Sequence, residues 1–132
     1  MNIPEIGEII NCDRAIELSD YYGLEYLVKR IQADSDSFKD WEFDGASMIP
    51  DDFFSKMFHV PNLIEIALQH DLKYAYGEPG NKTEKLRADL EFELSILNDG
   101  ASPEMAKLMF AAVDIGGNEL LKTSFSWGYA RK

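Results

Sequence analysis

The sequence between residues 63 and 76 reads LIEIALQHDLKYAY, which predicts a helix. Pro61 lies just before it, and a proline suits the first turn of a helix while keeping the preceding residue, Val60, out of helical conformation. The sequence GEPG from Gly77 to Gly80 then ends the helix with breakers. We therefore expect one helix from Leu63 to Tyr76.

Three side chains of this helix are candidates for chemistry. His70 and Tyr74 are four residues apart and share one face, whereas Asp71 points about 100° round the helix axis. One helix can therefore present an imidazole in one direction and a carboxylate in another.

A second helix, predicted from Thr83 to Leu97, offers a partner for His70. It begins after an asparagine cap at Asn81, with Glu84 three residues on. Its leucines form one apolar stripe: Leu86, Leu90, Leu94 and Leu97. Asp89 lies beside this stripe, and a buried carboxylate without a partner is costly. We expect a hydrogen bond between His70 and Asp89 of about 2.6 to 3.2 Å, which would fix the imidazole tautomer and leave the other ring nitrogen to take a proton from water.

Three motifs, taken in order, resemble those of a known superfamily. The pattern His-Asp-x-x-Tyr starts at His70, the sequence FDGASMIPD starts upstream at Phe43, and Ala-Asp-x-x-Phe follows around Asp89. Together they resemble the calcium-dependent phospholipases A2, in which the signature helix follows a calcium loop and precedes an antiparallel helix carrying an aspartate. The resemblance covers roughly residues 43–97 and is to a bacterial, disulfide-free form.

This resemblance implies calcium-dependent hydrolysis of a phospholipid ester. It implies that His70 takes a proton from the attacking water while Asp89 and Tyr74 hold the imidazole, so these three are the candidate catalytic residues. The candidate calcium ligands are Asp71, Asp44, Gly45 and Ser47. The loop differs from the family pattern because it has fewer glycines and carries carboxylates that the family normally lacks, at Asp44, Asp51 and Asp52.

Composition and charge limit the other functions. The 132 residues, 45% of them hydrophobic, are enough for one domain spanning residues 1–132 with its own core. The formal net charge is -11, from 13 basic and 24 acidic side chains, which repels nucleic acid and anionic membranes. The same charge suits cations or a basic protein partner. The alternative function is therefore a non-catalytic acidic interaction protein on a phospholipase A2-like scaffold.

Cysteine content and hydrophobicity predict the compartment. Cys12 is the only cysteine, so no intrachain disulfide can form. Secreted phospholipases A2 have cysteines before the catalytic histidine and just before the tyrosine, where this chain has Ile66, Ala67 and Lys73. The first residues have no basic start or long apolar run, and no apolar stretch is long enough to span a membrane. We expect a cytoplasmic protein without a transmembrane segment.

The remaining sequence predicts a mainly α fold. Helical patterns cover Asp13 to Ser19 and Tyr22 to Ala33, forming an N-terminal helical segment, and a third helix begins at Ser102-Pro103-Glu104 and ends at Gly116-Gly117. Residues 41–48 are predicted to form a loop, and the apolar tail from Phe125 to Tyr129 to pack back on the core. These parts would surround a phospholipase A2-like core of two antiparallel helices.

Other interpretations of these residues stay open. A lone histidine on a helix face is often a packing residue, and His70 could be one. A metal-dependent phosphohydrolase of the His-Asp type would need His59 as its first ligand, which is only 11 residues before His70. The apolar cluster Phe53, Phe54, Met57 and Phe58 could form an acyl-chain slot, although core packing is its commoner role.

Overall fold

The computed structural model describes residues 2–45 and 60–132 and is mainly helical over them. Its helices are α1 (Cys12–Tyr21), α2 (Glu25–Ala33), α3 (Leu63–Ala75), α4 (Lys82–Asn98) and α5 (Pro103–Gly116). The shorter elements are the strands β1 (Ile9–Ile10) and β2 (Trp41–Glu42) and the 3₁₀ turns Ser35–Ser37 and Glu119–Leu121. The predicted mainly α class is confirmed, whereas the phospholipase A2-like core stays a prediction.

Helix boundaries follow the capping signals in the sequence. α3 and α4 begin and end within one residue of their predicted limits. The Asn81 side chain accepts a hydrogen bond of 3.0 Å from the backbone N–H of Glu84. Ser102 caps α5 in the same way through the N–H of Met105, at 3.2 Å. Each cap satisfies a backbone donor that the first turn leaves without a partner.

Two predictions near the N-terminus need correction. The helix predicted from Tyr22 begins three residues later, at Glu25, because Gly23 takes a positive φ of 73° and turns the chain between α1 and α2. The loop predicted over residues 41–48 is wrong for Trp41–Glu42, which pair antiparallel with Ile9–Ile10. That pairing depends on a partner far away in the sequence, so local turn signals do not reveal it.

α3 lies at the centre of the fold and is buried on nearly all sides. Its Leu68 and Leu72 pack with the N-terminal elements, whereas Leu63 and Ile66 pack with α4 and α5. The first group includes Ile10, Leu18, Leu27, Ile31, Phe38, Trp41 and Phe43. The second includes Phe92, Ile96, Met109 and Val113. α3 is therefore a rigid support for the side chains that it carries.

α3 and α4 run antiparallel, as predicted. At one end the Asp99 carboxylate accepts from the backbone N–H and the side-chain amide of Asn62, both at 2.8 Å. Halfway along, His70 meets Asp89. The two helices are therefore held in register by polar contacts as well as by apolar packing.

The leucine stripe of α4 is not its packed face. Leu86, Leu90, Leu94 and Leu97 are 37–56% exposed, whereas the buried residues of α4 are Ala88, Asp89, Phe92 and Ile96. The buried face includes Asp89 because the neighbouring helix provides hydrogen-bond donors for its carboxylate.

The C-terminal tail covers the end of α3, which confirms its predicted packing. The backbone N–H groups of Gly128 and Ala130 donate to the carbonyls of Tyr74 and Ala75, at 2.8 and 3.1 Å. Trp127 is buried, and its indole N–H donates to the carbonyl of Glu78 at 2.7 Å. The tail therefore gives the Ala75 carbonyl a donor and adds a second donor to the Tyr74 carbonyl, which also accepts from the N–H of Gly77.

Candidate functional site

The predicted contact between His70 and Asp89 is confirmed. Nε2 of His70 lies 3.0 Å from Oδ1 of Asp89, and the two side chains are 3% and 0% exposed. Each residue sits at the middle of its helix, so neither side chain can move away without disturbing the packing of α3 and α4.

Tyr74 completes this contact from the same face of α3. Its hydroxyl donates to Oδ1 of Asp89 at 2.6 Å and lies 3.2 Å from the carbonyl oxygen of Val113 in α5. Burial raises the pKa of Tyr74, and the Asp89 charge raises it further, so the phenol keeps its proton and stays a donor. Its ring packs edge-on against Trp127 at a centroid distance of 5.0 Å.

Lys85 is a member of the site that sequence reasoning missed. Its ammonium donates to Oδ2 of Asp89 at 2.9 Å, and to the backbone carbonyl and Oδ1 of Asp114 at 3.0 and 3.1 Å. The signal was present, because a lysine four residues before an aspartate on one helix can pair with it. We call the connected residues His70, Tyr74, Lys85 and Asp89 the Asp89 network.

Asp89 is ionised in this network. Burial by itself raises the pKa of Asp89, but the hydrogen bond and electrostatic effect of His70 and the hydrogen bonds from Tyr74 and Lys85 outweigh burial and lower it overall. A carboxylate can only accept hydrogen bonds. Nε2 of His70 therefore carries a proton and donates to Asp89.

His70 is held as a neutral imidazole between aromatic rings. Its ring centroid lies 4.3 Å from that of Tyr74 and 4.8 Å from that of Phe92. Burial lowers the pKa of His70 and outweighs the opposite effect of Asp89. Among the residues that the structure describes, Nδ1 of His70 has no hydrogen-bond partner, so it is the ring nitrogen left to accept a proton.

Asp71, the next residue, faces a separate cavity of about 310 Å³. Asp44 lines the same cavity, as do Trp41 and Tyr129. Burial, together with the charge of Asp44, raises the pKa of Asp71 well above its ordinary range. The structure therefore brings together two of the predicted calcium ligands, in a cavity that Lys39 also lines.

The backbone beside Asp44 is fixed from the N-terminal side. The Phe43 carbonyl accepts from the N–H of Gly7 at 2.7 Å, and the Phe43 N–H donates to the Glu8 carbonyl at 2.9 Å. Gly45 then takes a positive φ of 82°, which turns the chain. Ser47 and the acyl-slot candidates Phe53, Phe54, Met57 and Phe58 lie outside the described residues, as does His59.

Carboxylate oxygens are ligands that a hard cation such as calcium prefers. Within residues 2–45 and 60–132, no group of three or more His, Cys, Asp or Glu side chains is close enough to hold a metal ion. Calcium takes backbone carbonyls as well as carboxylates. Within the described residues, Asp44 and Asp71 contribute two carboxylates to one cavity.

Comparison with known proteins yields no relative. No family model, no curated protein and no solved structure matches the chain. Over the described residues, no helix is long and apolar enough to cross a membrane.

Proposed function

We propose that this protein is a calcium-dependent hydrolase of phospholipid esters in which His70 activates the attacking water. The observation that carries the proposal is the buried hydrogen bond from His70 to Asp89, combined with the position of the next residue, Asp71, in a cavity shared with Asp44. The resemblance of these motifs to the phospholipases A2 provides the substrate class.

His70 acts as the general base. Nε2 is occupied by Asp89, so Nδ1 accepts the proton when water attacks an ester carbonyl. Asp89 and Tyr74 are positioning residues, because they hold the imidazole and do not themselves contact the reacting atoms. No covalent intermediate with the protein is required.

Asp71 and Asp44 would hold calcium through their carboxylates, and calcium also accepts backbone carbonyls as ligands. The chemistry that bound calcium supplies is electrostatic: it attracts the substrate phosphate and polarises the ester carbonyl. Asp71 lies next to the base on α3, so one helix fixes the direction from the cation site to the imidazole.

The surface charge selects among lipids. A net charge of -11 repels an anionic bilayer, whereas a zwitterionic or monomeric phospholipid carries no such penalty. We therefore expect faster hydrolysis of dispersed zwitterionic phospholipid than of anionic vesicles.

The test combines two variants with two readouts. In the wild type, saturating calcium at about 100 times Kd should stabilise the fold by about 2.7 kcal/mol and raise Tm, and fatty acid should be released only when calcium is present. Asp71→Asn should lose both effects. His70→Gln should keep the rise in Tm and lower fatty-acid release about 10²- to 10⁴-fold, because it removes only the base. Asp20→Asn, at an exposed carboxylate on α1, is the matched control and should behave as the wild type.

A second candidate function rests on the burial of His70. This side chain is 3% exposed and packed against the Tyr74 and Phe92 rings, as in a purely structural hydrogen-bond network. The candidate is the non-catalytic acidic interaction protein, with a basic protein as its partner. A wild-type protein that gains no stability from calcium and releases no fatty acid from either lipid would overturn the hydrolase and favour this function.

A further inference from the structure

Lys85 holds the side of Asp89 that faces away from His70. The ammonium contacts Oδ2 of Asp89, whereas His70 and Tyr74 both contact Oδ1. With its two contacts to Asp114, the ammonium uses its three donors on three acceptors. All three N–H donors of the Lys85 ammonium therefore have acceptors, which hold the side chain between α4 and α5.

Lys85 also brings a positive charge to this carboxylate. The groups that face Asp89 are His70 and Tyr74 from α3 and Lys85 from α4, with Asp114 of α5 behind the ammonium. His70 and Tyr74 are neutral donors. Among the described residues, Lys85 is the one cation that forms a hydrogen bond with Asp89.

The two partners differ in their access to water. Asp89 is fully buried, whereas the Lys85 side chain is 14% exposed and lines a cavity of about 600 Å³ beside Trp127. Part of the Lys85 side chain at this edge is in contact with water, but no part of the Asp89 side chain is. A buried charge that loses its counter-charge is strongly unfavourable and tends to be neutralised by a proton.

We propose that Lys85 is a positioning residue that sets the tautomer of His70 by keeping Asp89 ionised. This role rests on the proposed function, in which Nδ1 must be free to accept a proton from water. Without Lys85, Asp89 would take up a proton from solvent and donate its O–H to Nε2. The imidazole proton would then move to Nδ1, and His70 could no longer act as the base.

The test determines the tautomer of His70 directly by ¹⁵N NMR of histidine-labelled protein at neutral pH, without calcium or lipid. The chain has two histidines, and the spectrum of His70→Gln identifies the signals of His70. In the wild type, we expect an unprotonated Nδ1 and a protonated Nε2. In Lys85→Met, we expect a protonated Nδ1, and in the hydrolysis assay a kcat at least about 10² lower with KM unchanged.

Two further variants separate charge from packing. Lys82→Met, at an exposed lysine in the first turn of α4, should leave the tautomer and kcat as in the wild type. Lys85→Arg retains the positive charge and should keep Nδ1 unprotonated. Should Lys85→Met not fold, Lys85→Gln is the substitute neutral variant, and the wild-type spectrum is a test that needs no variant.

The outcomes distinguish this inference from the proposed function. A protonated Nδ1 in the wild type, or an unprotonated Nδ1 in a folded neutral variant at position 85, overturns the role of Lys85 whatever the activity. The expected tautomer change in a protein that hydrolyses no lipid supports the role of Lys85 and overturns the hydrolase instead.

Discussion

His70 and Asp71 are neighbours in the sequence and have opposite surroundings. His70 faces α4 and donates to Asp89, whereas Asp71 faces a cavity with a second carboxylate, Asp44. The geometry of a helix alone predicts this divergence, because successive side chains point about 100° apart. One helix can therefore hold a base and a cation ligand at fixed positions.

Asp71 should make the calcium-free protein less stable as the pH rises. Burial and the Asp44 charge raise the pKa of Asp71 in the folded state, so the folded chain keeps a proton that the unfolded chain has lost. The free energy of unfolding therefore falls as the pH rises from the ordinary carboxyl range to the raised pKa. Above that pH, the full cost of the buried Asp71 charge is present. Urea unfolding in a chelator at stepped pH should show the wild type losing stability relative to Asp71→Asn.

The difference between wild type and Asp71→Asn isolates the effect of Asp71 and its interaction with Asp44, since carboxylates that do not interact with Asp71 cancel. A difference that does not change with pH would mean that Asp71 has an ordinary pKa in the folded protein. Adding calcium to the wild type should remove the slope, because a bound cation compensates the charge that burial penalises.

The sequence predicts the contact of His70 with Asp89 but not the one with Lys85. A buried aspartate needs a partner, and the antiparallel helices leave His70 as the evident one. A lysine four residues before an aspartate is, by contrast, typical of exposed helix surfaces, where such pairs contribute little. Only the burial of Asp89, which arises from the packing of α3, α4 and α5, makes this pair important.

At the scale of elements, α4 shows why periodicity did not reveal the packed face. Its leucines form one apolar stripe, and a second stripe contains Ala88, Phe92 and Ile96. Hydrophobicity favours the leucines, yet the helix buries the second stripe because it carries Asp89 toward His70 and Tyr74. Tertiary hydrogen bonds therefore decided an orientation that the apolar pattern left ambiguous.

At the junction after α5, the backbone of Gly117 lies close to the Tyr74 side chain and supports it. A Cβ at Gly117 would collide with the ring and hydroxyl of Tyr74, whereas one at Gly116 would meet no atom within 4 Å. Gly117→Ala should therefore destabilise the protein by about 1–3 kcal/mol, the usual cost of overpacking. Gly116→Ala should leave stability unchanged or raise it by up to about 1 kcal/mol, because alanine favours a helix over glycine.

Urea unfolding of the two variants is a matched comparison of neighbouring positions. In the hydrolysis assay, Gly117→Ala should also lose activity, since Tyr74 would be displaced from Asp89. Equal stability of the two variants would show that Tyr74 does not pack against this turn.

Across the whole molecule, segments that are far apart in the sequence meet around Asp44 and Asp71. The N-terminal strand holds the backbone of Phe43, next to Asp44, and the C-terminal tail covers the end of α3 and places Tyr129 against Asp71. The Tyr129 hydroxyl donates to the Asp71 carbonyl at 3.0 Å. Helix periodicity predicted the central helices, but these contacts join residues that are distant in sequence, so local patterns did not predict them.

The net charge of -11 should make the stability of the molecule depend on salt. Repulsion among carboxylates opposes the compact state, and the screening length shortens from about 30 Å at 0.01 M salt to about 3 Å at 1 M. Sodium chloride in the presence of a chelator should therefore raise Tm, by roughly 4 °C for each kcal/mol of repulsion removed. Asp71→Asn should keep this response, because the response belongs to the whole surface, while losing the response to calcium. A Tm that falls as sodium chloride is added would contradict net repulsion among the carboxylates. Equal calcium responses in the wild type and Asp71→Asn would show that calcium binds the acidic surface rather than the cavity of Asp71.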